Sequence, residues 1–162
     1  MPRSRFVPQA RRAKSGLEGV LQLYDSFGAS LTSTCIQYVR AVRLPCAMIK
    51  WSPYGFEWRF ISSAAWTIGF RSTLDKMEEL PRDSATAQAV EETIDSNKNF
   101  MQAVGTTAFW FKNVSPGCDR DLLLFEEAIR LGRYGIITLL YPHSSSKDAF
   151  DALEVKSRLM LS

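Results

Sequence analysis

The chain has a single histidine, His143, among its 162 residues. A HExxH zinc centre sets two imidazoles one helical turn apart, so ligand count alone excludes it from this sequence. Cysteine is scarce as well. Cys35, Cys46 and Cys118 are odd in number and scattered, with no CxxC pair and no disulfide framework. They are expected as buried, reduced thiols. No apolar run reaches the roughly 18–20 residues of a membrane span. The start, Met1-Pro2-Arg3-Ser4-Arg5, is basic but lacks the apolar stretch of a signal peptide. A cytoplasmic protein with no membrane partner is expected. There is no glycine-rich phosphate loop, internal repeat or long low-complexity tract.

What is present is an ordinary globular composition, 46% hydrophobic and 23% charged. The length suits one domain or two small ones and can bury a core without disulfides. The net charge of +3 is unevenly placed. Seven basic against two acidic residues leave +5 over residues 1–44, and therefore −2 over the rest. A basic lead on a slightly acidic body permits contact with an anionic partner.

Residues 3–15 are polar and basic, with Pro8 among them, and read as loop or a frayed helix start. Leu17, Val20, Leu21, Tyr24 and Phe27 recur at helical spacing. Gly28 ends that helix, because glycine adopts left-handed backbone angles cheaply. Ser30 caps a second helix over about 31–43, with Leu31, Cys35, Tyr38 and Val42 as its stripe. Pro45 stops it. The period then changes to two. Ala47, Ile49 and Trp51 share one strand face, Pro53 and Gly55 make a turn, and Phe56, Trp58 and Phe60 share one face of the returning strand. A helix is expected over 85–94, and strands over 106–111, 122–131 and 134–141. A last helix over 147–160 carries Phe150, Leu153 and Met160 inward, with Ser145 or Ser146 as its cap. The order predicts an α+β fold: a helix-turn-helix-like pair within residues 1–44, then a small, mainly antiparallel sheet with flanking helices over 45–162.

Several segments together resemble the ImmA/IrrE metallopeptidases. Residues 1–6 resemble the segment that follows the third metal ligand of that family. Leu21 to Arg43 resembles the helical pair after it, with Phe27-Gly28-Ala29-Ser30 at the junction and Arg40 or Arg43 near the helix end. Cys46 to Ser62 resembles the aromatic hairpin of longer members. Leu123 to Pro142, with Glu126-Glu127 and the run from Gly135 to Leu140, is similar to the last strands of their GAF-like domain. The resemblance implies linker helices over 1–44 and a GAF-like sensor or regulatory domain over 45–162. The HExxH helix and the downstream glutamate ligand would precede Met1. No catalytic or metal residue is therefore carried over, and zinc would enter only with an upstream catalytic domain. The expected function is a non-catalytic regulatory or partner-binding module. A fragment or mis-started form of an active peptidase that cuts repressor-type regulators is the alternative.

Two candidate sites stand beside this reading. Trp51, Phe56, Trp58, Phe60, Phe109, Trp110 and Phe111 could line a small-molecule pocket, as the sensor resemblance implies, or form core or interface. Gln37, Arg40 and Arg43, with Thr32 and Ser33, could face DNA if the helix pair were a DNA-binding regulator. Docking of that pair on a protein outweighs this, because the remaining cations lie in the lead. The docked partner would be a peptidase domain or a repressor-type regulator. In its absence the apolar faces over Leu17–Val42 are expected to be exposed and to drive homodimerisation. Glu126 and Glu127, adjacent on a strand, must face opposite ways. One is expected in solvent and the other against Arg130 or Arg133. His143, beside three serines, reads as an exposed loop residue.

Overall fold

The computed structural model describes residues 2–92, 99–112 and 122–161. Three helices come first: α1 (Arg3–Arg12), α2 (Leu17–Phe27) and α3 (Leu31–Ala41). A hairpin follows, β1 (Ala47–Ser52) and β2 (Gly55–Ile61). The middle holds α4 (Ser63–Thr67), β3 (Ser72–Thr73) and α5 (Ala85–Glu91). Then β4 (Phe100–Thr106) runs into the single turn α6 (Thr107–Trp110) and β5 (Phe111–Lys112). The chain continues with β6 (Leu123–Arg130), β7 (Ile136–Pro142) and α7 (Lys147–Leu161).

Five strands form one sheet in the order β2-β1-β7-β6-β4, every neighbouring pair antiparallel. The fold is α+β. Strand side chains alternate between faces, and here both faces are covered. Ala47, Ile49, Trp51, Leu124, Ala128 and Leu140 pack with Ala65, Ile68, Phe70, Ala89, Trp110 and Phe150. Met48, Ile137, Leu139 and Tyr141 pack on the other face with Phe6, Leu17, Val20, Cys35 and Tyr38. The first three helices thus make one layer. The middle segment, α6 and α7 make the other.

The helix pair follows the expected pattern, and the hairpin lies where expected. Gly28 takes a φ of 62° at the end of α2, and the Ser30 hydroxyl accepts the Ser33 N–H to cap α3. The lead does not. Read as loop or a frayed helix start, residues 3–12 form a full helix, α1, with Pro8 inside it. Phe6 and Ala10, one turn apart, are its buried anchors, and the Phe6 ring lies 5.2 Å from that of Phe27. Two buried positions among charges are too few for a periodic signal, so tertiary packing makes this helix.

Three further expectations are corrected. The strand placed at 106–111 is a strand end followed by a helical turn: Thr106 Oγ1 accepts the Phe109 N–H and turns the chain. The aromatic face of the hairpin is split. The register slips between Lys50 and Trp51, so Phe56 pairs with Trp51 while Trp58 pairs with Lys50. This bulge sends Phe56 to one core and Trp58 and Phe60 to the other. Met160 is exposed rather than inward, while Phe150 is buried. The helical apolar faces are mostly seated on the sheet; Leu21 and Tyr24 are the exposed large apolar residues of α2. The end of the helix expected over 85–94 lies outside the described residues beyond Glu92.

Candidate functional site

Glu126 and Glu127 face opposite sides of the sheet, as strand geometry requires. Neither is in solvent, and neither pairs with an arginine among the described residues. Both are buried, at 1% and 5% exposure, which corrects the expectation for this pair. Each carboxylate receives the start of a different helix. Glu127 Oε2 accepts the Leu17 N–H at 2.6 Å, at the first turn of α2. Its Oε1 accepts the Tyr141 hydroxyl at 2.9 Å and the Gln102 amide at 3.3 Å. Gly16, which precedes α2, has no side chain to cap the helix, so the distant glutamate does this. The approach demands glycine. At a φ of +84°, a Cβ on Gly16 would lie 2.5 Å from both Glu127 Oε2 and the Tyr141 hydroxyl.

On the other face, Glu126 Oε1 accepts the Thr86 N–H at 2.9 Å and the Thr86 hydroxyl at 3.0 Å, in the first turn of α5. Its Oε2 accepts the Trp110 indole N–H at 3.2 Å. An indole nitrogen can only donate. Trp51 Nε1 donates to Thr138 Oγ1 at 3.1 Å, and Thr138 lies 2.6 Å from Thr86 Oγ1. The hydroxyl protons therefore run in one direction, from Trp51 through Thr138 and Thr86 to the carboxylate. Burial pushes both glutamates above the ordinary 4.5, against the pull of these donors. Burial also pushes the Cys35 and Cys46 thiols up to about 12, which leaves them unreactive. Cys118 lies outside the described residues.

The seven aromatics do not converge on one hollow. Trp51, Trp110 and Phe111 are buried core, with Phe56 and Phe109 packed against the same cluster. Trp58 and Phe60 lie on the opposite face. Trp58 borders a wide surface hollow of about 800 Å³ with Tyr24, Leu31 and Tyr134. Lys50, at the edge of that hollow, donates to Glu57 Oε2 at 3.0 Å and to the carbonyls of Trp51 and Tyr134. This buried ammonium is fully occupied as a clamp between the hairpin and the turn that joins β6 to β7.

Arg40 and Arg43 fall on one surface with two arginines from other elements. A groove with lobes of about 460 and about 500 Å³ runs between α1, the end of α3, α4 and α7. Arg11, Arg40, Arg43 and Arg158 line it, with Val42, Ser63, Thr67 and Glu154. Arg11 Nε holds the Ala41 carbonyl at 3.1 Å, the Arg40 guanidinium lies 4.8 Å over the Phe60 ring, and Arg158 pairs with Glu154. Neither Arg40 nor Arg43 has a carboxylate partner among the described residues. Gln37 is half-buried on α3 and lies outside the groove. Sequence reasoning missed Arg11 and Arg158, because one lies in the lead read as loop or a frayed helix start and the other lies far along the chain.

His143 is half-buried rather than exposed. Its ring lies 4.4 Å from that of Phe125, and its Nδ1 accepts the Ser145 N–H and meets the Ser145 hydroxyl at 2.8 Å. These contacts cap the turn Ser144–Ser146. Among the described residues no three His, Cys, Asp or Glu side chains could jointly hold a metal ion. No helix among the described residues is long and apolar enough to cross a membrane. No family model and no curated protein matches the chain.

Proposed function

We propose that the chain is a non-catalytic binding module, of the kind that follows the catalytic domain in ImmA/IrrE peptidases. It holds an acidic segment of a protein partner in the arginine groove. One observation carries this: Arg40 and Arg43 are exposed, have no carboxylate partner among the described residues, and share a concave surface with Arg11 and Arg158. Guanidinium groups bind carboxylates through two parallel hydrogen bonds, so such a cluster selects acidic side chains with defined geometry. Asp151 and Glu154 also line the groove, beside Val42, Leu44 and Pro45. A lining of mixed charge with apolar walls suits a peptide of mixed side chains better than a continuous phosphate backbone. The catalytic reading finds no support in the buried carboxylates. Glu126 and Glu127 face opposite sides of the sheet and are committed to helix starts. The DNA-reading alternative needs α3 free to enter a groove about 12 Å wide. Instead α3 is packed against α1, α2, β1 and β2.

The test is fluorescence anisotropy with a labelled glutamate-rich peptide, run in parallel with random duplex DNA. The peptide is expected to bind, and Arg40→Glu with Arg43→Glu to weaken it at least about tenfold, the scale of one to two kcal/mol for groove charges. No peptide binding, or binding indifferent to the double reversal, overturns the reading. Tighter binding to duplex DNA would replace it with a nucleic-acid regulator.

A further inference from the structure

The two edges of the main sheet are unlike. β2 carries Glu57 and Arg59, and the bulge opposite Lys50 and Trp51 breaks its register. These are the devices by which edge strands avoid pairing with other chains. β4, the other edge, reads Phe-Met-Gln-Ala-Val-Gly-Thr. It has no charge, no proline and no bulge, and its register with β6 is unbroken from Phe100 to Thr106.

Hydrogen bonding fixes which side of β4 is free. The Asn99 carbonyl accepts the Arg130 N–H, and the Thr107 N–H donates to the Leu122 carbonyl. Odd-numbered residues of this strand therefore bond β6. In an antiparallel ladder the alternate residues, Phe100, Gln102, Val104 and Thr106, direct their N–H and C=O groups outward. Among the described residues no strand pairs with that side. The same residues have their side chains on the face carrying α1, α2 and α3, since Gln102 meets Glu127 there. The helical layer stops short of this edge: Phe100 is 41% and Val104 56% exposed. One strand thus offers a free backbone ladder and an apolar strip together.

We propose that β4 is a pairing edge that takes β4 of a second copy of this chain, antiparallel. The two-fold axis passes at Gln102, so that Phe100 of each copy lies opposite Val104 of the other. This register joins outward-directed residues to outward-directed residues, as the ladder requires. It also sets an aromatic against a β-branched side chain, a favourable cross-strand pair. The occupant follows from the symmetry of the strip. A two-fold antiparallel pairing sets the axis residue against its own copy and the residues on either side against each other; β4 has uncharged Gln102 on the axis, its two exposed apolar residues equidistant from it, and no charge to bury in the seam. The same pairing through β2 would bring Glu57 and Arg59 into the seam. The two sheets become one across the axis, and the arginine grooves stay open because no β4 residue lines them.

Sedimentation velocity across a micromolar concentration series tests this with two variants. Val104→Pro removes one outward N–H without touching the β6 ladder, a position where edge strands accept proline. Val104→Lys keeps the backbone and places a cation in the strip. The expected result is a wild-type dimer, with both variants shifted to monomer and an unchanged circular dichroism spectrum. Should Val104→Pro fail to fold, Val104→Lys decides the matter. A wild-type monomer throughout the series overturns the proposal. So does a dimer that persists in folded Val104→Lys, which would place the interface elsewhere, such as around Leu21 and Tyr24.

Discussion

Glu127 and Leu17, separated by 110 residues, are joined by a hydrogen bond of 2.6 Å between a buried carboxylate and a backbone N–H at the start of α2. This bond ties the helical layer to the centre of the sheet. Removing the carboxylate leaves the Leu17 N–H and the Tyr141 hydroxyl without their acceptor in a buried place. Glu127→Ala is expected to cost about 2–4 kcal/mol in urea unfolding, the range for stranding buried polar groups. Glu127→Gln, which keeps one acceptor oxygen, should cost clearly less. Equal losses in the two variants would contradict the anchoring role.

Gly16 is part of the same device. A methyl group there would collide with Glu127 Oε2 and the Tyr141 hydroxyl, on a backbone already at positive φ. Gly16→Ala is expected to destabilise by about 2 kcal/mol or more. In the Glu127→Ala background the loss should shrink, because one of the colliding groups is gone. Strictly additive losses would show that the two residues act separately.

The buried pair gives a defined pH dependence. Burial raises both glutamates above 4.5, so their contribution to stability is complete below the unfolded value and declines as pH rises through the raised one. The unfolding free energy is expected to fall as pH climbs above about 4.5. Glu126→Gln and Glu127→Gln should each flatten that fall. Asp75, held below its ordinary value by Lys112, acts in the opposite sense at lower pH. A stability that rises steadily from pH 5 to 8 in wild type and variants alike would contradict the assignment.

The hydroxyl chain behind Glu126 is open to a single isosteric change. Thr138 is fully buried between the Trp51 indole and Thr86. Thr138→Val preserves shape and removes the relay, leaving the Trp51 N–H without an acceptor. A loss of about 1–3 kcal/mol is expected in chemical denaturation. A change within about 0.5 kcal/mol would show that the relay contributes nothing.

Local chemistry explains what was legible in the sequence. The α2–Gly28–Ser30–α3 junction carries its own stop and start signals, and β1 shows its alternation, so these elements are where the pattern places them. The failures share a cause in long-range partners. α1 exists because Phe6 finds Phe27, not because of its own period. The bulge that divides Phe56 from Trp58 depends on pairing with β1, which no spacing rule reveals. The glutamates read as one solvated residue and one arginine partner because their acceptor roles need Leu17 and Thr86, both distant in the chain. For the groove, Arg40 and Arg43 were visible as cations on one helix. Their company with Arg11 and Arg158 depends on how α1 and α7 pack.

The measurement that bears most directly on the binding role is the salt dependence of acidic-peptide affinity for the full chain. If the arginine groove holds carboxylates, affinity should weaken steadily as ionic strength rises toward about 0.15 M, where screening acts within about 8 Å. Arg40→Glu with Arg43→Glu should remove both the binding and its slope. Affinity that is indifferent to salt, or unchanged in the double variant, would contradict the account.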